Sequence, residues 1–154
     1  MKNMKKMILI ISAVLMIFMI GCSSKDVSLT DIKDKLKNTV DFSTFSKEEE
    51  SSFLKDTFDF DMDKIEEYEV YVPQTNLNTN TILLLNLKNA SDASEFKEKI
   101  DAYKENLLSI YEDYAPDQAE FVKDSVYEEH GKTIVFVISD KSEEVKKALA
   151  DLYK

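Results

Sequence analysis

Hydrophobic residues form two kinds of pattern along this chain. Residues 7–20 are a continuous apolar stretch interrupted only by Ser12, whereas the apolar positions after residue 27 recur at helical or strand spacing. The period of that second pattern changes repeatedly between about 3.6 and 2, which predicts a succession of helices and strands. The chain therefore divides into a short N-terminal segment and a single folded domain over residues 28–154.

Five helices are predicted from the positions that recur every three or four residues. Two precede all the strands, and the long third helix has the strongest periodicity, with a buried face that runs on through Ile110 and Tyr114. A short fourth helix opens with a proline, which favours the first helical position. The first residues of these helices are Ser28 or Thr30, Ser46, Ser91, Pro116 and Ser142.

Four strands are predicted. Residues 67–72 alternate between apolar and polar side chains, and residues 81–87 are apolar almost throughout, which favours a central strand. Residues 125–129 and 133–139 flank His130-Gly131-Lys132, a hairpin signal in which the glycine supplies a positive φ. The predicted fold class is α+β: a small antiparallel sheet of about four strands in ββαββα order, with helices on one face, preceded by two N-terminal helices.

The N-terminal segment has the layout of a secretory signal peptide, with three lysines ahead of the apolar stretch. The segment that ends it, Met19-Ile20-Gly21-Cys22, resembles a lipobox. That resemblance implies cleavage between Gly21 and Cys22 and a diacylglyceryl group on the Cys22 sulfur, whose two acyl chains give stable anchoring. An uncleaved membrane span is disfavoured, because about 14 residues make a helix of roughly 21 Å and the hydrocarbon core is ~30 Å thick. We therefore expect residues 1–21 to be removed and residues 22–27 to form a lipidated tether.

Composition narrows the function further. The net charge is −10, and removing Lys2, Lys5 and Lys6 with the signal peptide lowers it to −13. Such a chain repels nucleic-acid phosphates, so nucleic acid is excluded as a partner. Cys22 is the single cysteine, so no intrachain disulfide can form, and two glycines are too few for a phosphate-binding loop. No cofactor is predicted.

Two groups of residues are candidates for chemistry. Asp59, Asp61 and Asp63 have the spacing of calcium ligands, but Lys64 and Val70 stand where an EF-hand loop needs glycine and glutamate. A solvated turn is the favoured interpretation, with weak binding of extracellular calcium as the alternative. His130 is the single histidine, and beside Gly131 it is expected to be an exposed turn residue rather than part of a catalytic triad or a zinc site.

Several local sequences resemble a family of lipoproteins from Gram-positive bacteria, the domain of unknown function 4358. They include the 53–56 helix leading into Phe60-Asp61, the strand 81–88, and Tyr111-Glu112-Asp113-Tyr114-Ala115-Pro116. The hairpin around His130-Gly131 completes the match, which extends over about residues 36–154. The resemblance implies an exported, lipid-anchored domain, and it implies no catalytic or ligand residue.

These observations lead to one main hypothesis and two alternatives. The main one is a lipid-anchored, non-enzymatic binding or accessory module on the extracytoplasmic face of the cell membrane, with another envelope protein or a cationic ligand as its partner. An exposed apolar patch on the folded domain would favour it. The alternatives are a hydrolase that uses carboxylates or His130, which needs a pocket with two convergent acids, and a weakly calcium-responsive domain.

Overall fold

A computed structural model describes residues 27–154. The predicted signal peptide and the lipidation residue Cys22 lie outside the described residues. Five helices and five strands form the domain, together with three single 3-10 turns. In chain order the elements are α1 (Leu29–Lys37), β1 (Phe45–Glu48), α2 (Ser51–Phe58), β2 (Ile65–Pro73), β3 (Thr81–Leu87), α3 (Ala93–Tyr111), α4 (Pro116–Lys123), β4 (Val126–His130), β5 (Thr133–Ile138) and α5 (Ser142–Leu152).

The strands form one sheet in the order β1-β2-β3-β5-β4, and every neighbouring pair is antiparallel. Strand β3 occupies the centre, where Leu83 lies opposite Val70 on one side and Phe136 on the other. The apolar composition of residues 81–87 therefore correctly indicated a central strand, and the α+β class is confirmed. Gly131 has φ 62° in the β4–β5 turn, as the hairpin signal requires.

The sheet has five strands rather than about four, because Phe45–Glu48 pairs with the far edge of β2. Ser46 was predicted to begin a helix, and it instead lies opposite Val72 in this edge strand. The helix begins at Ser51, directly after the acidic run. A four-residue edge strand has only one neighbour, so its sequence carries little of the apolar alternation that identifies longer strands.

Helices cover both faces of the sheet, so the prediction of helices on one face is wrong. Helices α2, α3 and α4 pack on what we call the three-helix face, against side chains such as Leu83 and Leu85. Helices α1 and α5 pack on the two-helix face, against side chains such as Ile82 and Leu84. Successive side chains of a strand point to opposite faces of the sheet. A strand that is apolar at nearly every position therefore needs helices packed against both faces.

The two ends of the sheet differ in what they carry. At the hairpin end, defined by residues 130–132 and the chain entry at Val27, β2 begins and β3 finishes. At the opposite loop end lie the β2–β3 connection, residues 74–80, and the C-terminal turn of α3, joined by a 2.9 Å hydrogen bond from Tyr111 Oη to the Asn76 carbonyl. Strand β3 runs between these ends and separates them by about 20 Å.

The first helix is fixed close to the point where the chain enters the domain. The Ser28 hydroxyl accepts a hydrogen bond from the Asp31 amide, and the Asp31 carboxylate accepts one from the Ser28 amide, which together make a capping box. Val27 is buried in the core of the two-helix face, although the sequence predicted it to be the last residue of the tether. The packed domain therefore begins five residues after Cys22.

Candidate functional site

A polar cleft of about 490 Å³ opens at the hairpin end. It lies between the chain entry, the start of β2 and the β4–β5 turn. Lys132 crosses one side of it, with its Nζ 2.9 Å from a carboxylate oxygen of Glu66. The ammonium of Lys132 lowers the pKa of Glu66 through this hydrogen bond. The cleft is lined by Val27, Ser28, Glu66, Glu67, Asn86, His130, Gly131, Lys132 and Thr133.

His130 is held by two contacts within the domain. Its ring stacks on the ring of Tyr153, with 3.5 Å between centroids and 11° between planes. Its Nε2 lies 2.8 Å from a carboxylate oxygen of Glu128. Burial, with a contribution from the Glu128 charge, raises the pKa of Tyr153 to about 12, so this phenol stays protonated at neutral pH. His130 is thus the partly exposed last residue of β4, and its contacts tie the hairpin to the chain after α5.

The acidic turn, residues 59–63, borders a separate cleft of about 420 Å³. Asp59 ends α2 with φ 56°, and Lys99 Nζ donates a hydrogen bond to the Asp59 carbonyl. The Asp61 carboxylate accepts a hydrogen bond of 3.0 Å from the amide of Asp63 and thereby caps a 3-10 turn. These contacts are those of a solvated turn with a lysine beside it.

The candidate groups do not converge. The hairpin cleft and the cleft at the acidic turn share no lining residue, so His130 and the Asp59–Asp63 carboxylates belong to different surfaces. In residues 27–154 no three His, Cys, Asp or Glu side chains come together as a group that could hold a metal ion. Asp59, Asp61 and Asp63 lie in a turn and the short 3-10 segment that follows it, as the sequence predicted. His130 is not a turn residue: it is the last residue of β4 and pairs with Thr133 across the hairpin.

One polar network was not identifiable from the sequence. On the two-helix face, Lys33 Nζ of α1 lies 2.7 Å from Glu69 Oε1 of β2, and only 19% and 13% of these side chains are exposed. Tyr71 Oη donates a hydrogen bond to the other oxygen of the same carboxylate. Burial alone would raise the pKa of Glu69, but hydrogen bonds from Lys33 and Tyr71 outweigh it and hold the pKa below its ordinary value. The network fastens α1 to the sheet.

The loop end carries an apolar patch that the sequence placed incorrectly. In the described part of the chain, three large apolar side chains are mainly exposed: Leu77 at 63%, Ile110 at 53% and Tyr114 at 68%. Ile110 and Tyr114 were predicted to lie on the buried face of the long helix. Ile110 lies in the last turn of α3, where its neighbour Tyr111 is the buried residue at 7% exposed, and Tyr114 lies beyond the end of the helix.

The three exposed residues all lie within three residues of one hydrogen bond that joins the loop to the end of α3. Asn76 and Tyr111 are hydrogen-bonded to each other, Leu77 follows Asn76, Ile110 precedes Tyr111, and Tyr114 comes three residues later. We call Leu77, Ile110 and Tyr114 the loop-end patch.

None of the helices within residues 27–154 is both long and apolar enough to cross a bilayer.

Comparison with known proteins gives one match. No curated protein and no solved structure matches this chain. The family model described as "Domain of unknown function (DUF4358)" matches residues 38–139, which run from the end of α1 to the end of β5. This match covers most of the described domain and includes the whole sheet. The chain therefore belongs to the DUF4358 family, a domain of unknown function.

Proposed function

We propose that this protein is a lipoprotein held at the extracytoplasmic face of the cell membrane through Cys22, and that its domain binds a partner there rather than catalysing a reaction. The observation that carries the proposal is the sequence Met19-Ile20-Gly21-Cys22 at the end of a 14-residue apolar stretch, five residues before the packed domain begins at Val27. The cysteine supplies the thiol that lipid transfer needs, and the preceding glycine leaves the backbone open to a peptidase.

The domain would lie close to the bilayer under this proposal. The five residues from Cys22 to Val27 reach at most about 18 Å when fully extended. Val27 packs with Leu29 and Ile32 in the core of the two-helix face, so a pull on the tether acts directly on α1. The Lys33–Glu69 ion pair and the capping box at Ser28 support that helix against such a load.

A binding role is supported by how the reactive groups are used. His130 contacts a tyrosine ring and a glutamate, and the described residues provide no serine or threonine hydroxyl hydrogen-bonded to it. Of the carboxylates considered for calcium, that of Asp59 lies 3.5 Å from Lys99 Nζ, and that of Asp61 accepts a hydrogen bond from the Asp63 amide. The loop-end patch supplies the exposed apolar surface that a binding module needs.

The anchoring proposal is tested by metabolic labelling of the full-length protein in a Gram-positive host with an alkyne fatty acid. We expect the label on the wild-type chain and its complete loss in Cys22→Ala, while the matched control Ser24→Ala keeps it. Mass spectrometry of the mature N-terminus should show a diacylglyceryl-modified Cys22 as the first residue. An unmodified chain that still begins at Met1 in the membrane fraction would contradict the proposal.

A further inference from the structure

We infer that the loop-end patch, Leu77, Ile110 and Tyr114, is a docking surface for a protein segment that presents an apolar side chain flanked by lysines or arginines. This inference rests on the proposed anchoring at Cys22 and adds the location of the binding surface and the chemistry of its partner. Single exposed apolar residues are ordinary on protein surfaces. Here, however, the three that are mainly exposed in residues 27–154 all lie within three residues of Asn76 or Tyr111, which are joined by a hydrogen bond.

The chain geometry disfavours an orientation in which this surface faces the membrane that holds Cys22. Val27 lies at the hairpin end, and the patch lies at the other end of β3, about 20 Å away. If the patch contacted the bilayer end-on, the tether would have to extend along the domain by that distance. Five residues supply at most about 18 Å, so an end-on contact of the patch with the bilayer would require a fully extended tether.

The charges beside the patch determine which partner fits. Glu112, Asp113 and Asp117 follow the exposed turn of α3, and the loop 74–80 carries no charge. Lys123 neutralises one of these acids, with its Nζ 3.0 Å from a carboxylate oxygen of Glu112. The remaining carboxylates at Asp113 and Asp117 favour a basic rim on the partner, since complementary charges promote association.

The same charges disfavour two other occupants. A second copy of this chain, docked patch to patch, would bring the Asp113 and Asp117 carboxylates of both copies together, and like charges in contact oppose association. An anionic lipid surface would be repelled by the same acids and by the overall negative charge of the chain. Of these occupants, only a protein segment with cationic residues around an apolar side chain complements both the apolar patch and the acidic residues beside it.

The patch residues can be changed without unfolding the domain, because their side chains are mainly in water. That permits a photocrosslinking experiment with the full-length protein in its own membrane. A photoreactive phenylalanine analogue is placed at Leu77 or at Tyr114. The matched control places it at Glu98, an exposed position on α3 three turns before Ile110. Membrane fractionation of every variant reports separately whether the anchoring holds.

We expect protein adducts from positions 77 and 114 and none from position 98. Charge reversal by Asp113→Lys, with the probe at position 77, should reduce the adduct at least tenfold, while Glu98→Lys leaves it unchanged. Raised salt should weaken the adduct, because screening reduces attraction between exposed charges. Peptide sequencing of the adduct should place Lys or Arg beside an apolar residue at the crosslinked position.

Four results would overturn the inference: no adduct at either patch position, equal adducts at position 98, an adduct with the mass of two copies of this chain, or an adduct with phospholipid. If the protein is found outside the membrane fraction and the patch still gives its adduct, the anchoring proposal fails and the docking surface stands. If the protein is membrane-bound and the patch gives no adduct, the docking inference fails alone.

Discussion

The two faces of the sheet are held in different ways. The three-helix face is packed with aromatic rings: Phe60 lies between Phe58 and Phe96, with ring centroids 5.0 and 4.7 Å away, and Tyr103 contacts Phe58 at 4.4 Å. The two-helix face combines aliphatic packing with the Lys33–Glu69 ion pair and the His130–Tyr153 stack. Both ends of the described chain, Val27 and the residues after α5, pack against this second face.

The two faces should therefore contribute to the stability of the domain in different ways. The aromatic rings of the three-helix face each bury a large apolar area, and the burial free energy grows with the apolar area removed from water. The two-helix face receives the chain from the proposed tether, and part of its stabilisation depends on charge. Stability should therefore respond strongly to cavities in the first face and to pH in the second.

The largest effect is expected from a cavity in the three-helix face. Phe96 is 1% exposed and contacts Phe60, so Phe96→Ala removes a fully buried ring and should cost about 3–5 kcal/mol of unfolding free energy. Tyr114→Ala is the control, because it removes an aromatic ring that is 68% exposed. Urea titrations of both variants measure the difference, and equal losses would show that the aromatic cluster is not the main support of the fold.

A smaller loss is expected when the ion pair of the two-helix face is broken. Glu69→Gln leaves Lys33, whose side chain is only 19% exposed, without its counter-charge and should cost about 1–3 kcal/mol at pH 7. Glu66→Gln is the matched control on the same strand, where the pair with Lys132 is about half exposed, and a much smaller shift in Tm is expected. A larger shift for Glu66→Gln than for Glu69→Gln would contradict this account of the two-helix face.

The difference in stability between wild type and Glu69→Gln should also depend on pH, in a direction set by the lowered pKa of Glu69. The folded domain holds the pKa of Glu69 below the ordinary value of 4.5, so the unfolded chain takes up the proton first as the pH falls. The stability from this carboxylate is present above pH 4.5 and is lost as the pH falls through its folded pKa. The gap between wild type and Glu69→Gln should therefore be constant near neutrality and narrow below pH 4.5.

The smallest effect is expected at the hairpin end. Tyr153→Ala removes the ring that stacks on His130 and should cost about 0.5–1.5 kcal/mol, whereas Tyr153→Phe keeps the ring and should stay close to wild type. Thermal unfolding of the two variants gives the comparison. If Tyr153→Phe is destabilised as much as Tyr153→Ala, the phenol oxygen rather than the stack holds the hairpin to the end of the chain.

Elements with a strong period of their own were predictable. The alternation in residues 67–72 correctly assigned Tyr68, Val70 and Val72 to one face of β2 and Glu69 and Tyr71 to the other. The hairpin at Gly131 and the start of α4 at Pro116 were also correct, because both depend on local backbone preferences. Such signals need no knowledge of distant parts of the chain.

Features that depend on partners far along the chain were missed. Strand β1 is identifiable only through its pairing with Val70–Pro73, more than twenty residues later. The Lys33–Glu69 pair joins residues 36 positions apart. The buried face of α3 ends with Tyr111, so Ile110 beside it stays exposed and Tyr114 lies past the helix end. A helical period predicts a buried face but not the residue at which burial ends.

Residue order alone determined the five helices and four of the five strands, that β3 is central, and that the residues before Cys22 are typical of an export signal. Side-chain period, backbone preference and charge act over a few residues, so these properties can be read without a structure. The tertiary structure decided which side of the sheet each helix covers, which lysine meets which carboxylate, and where apolar side chains stay in water. Those outcomes depend on the relative lengths and positions of elements that are distant in sequence, and only packing sets them.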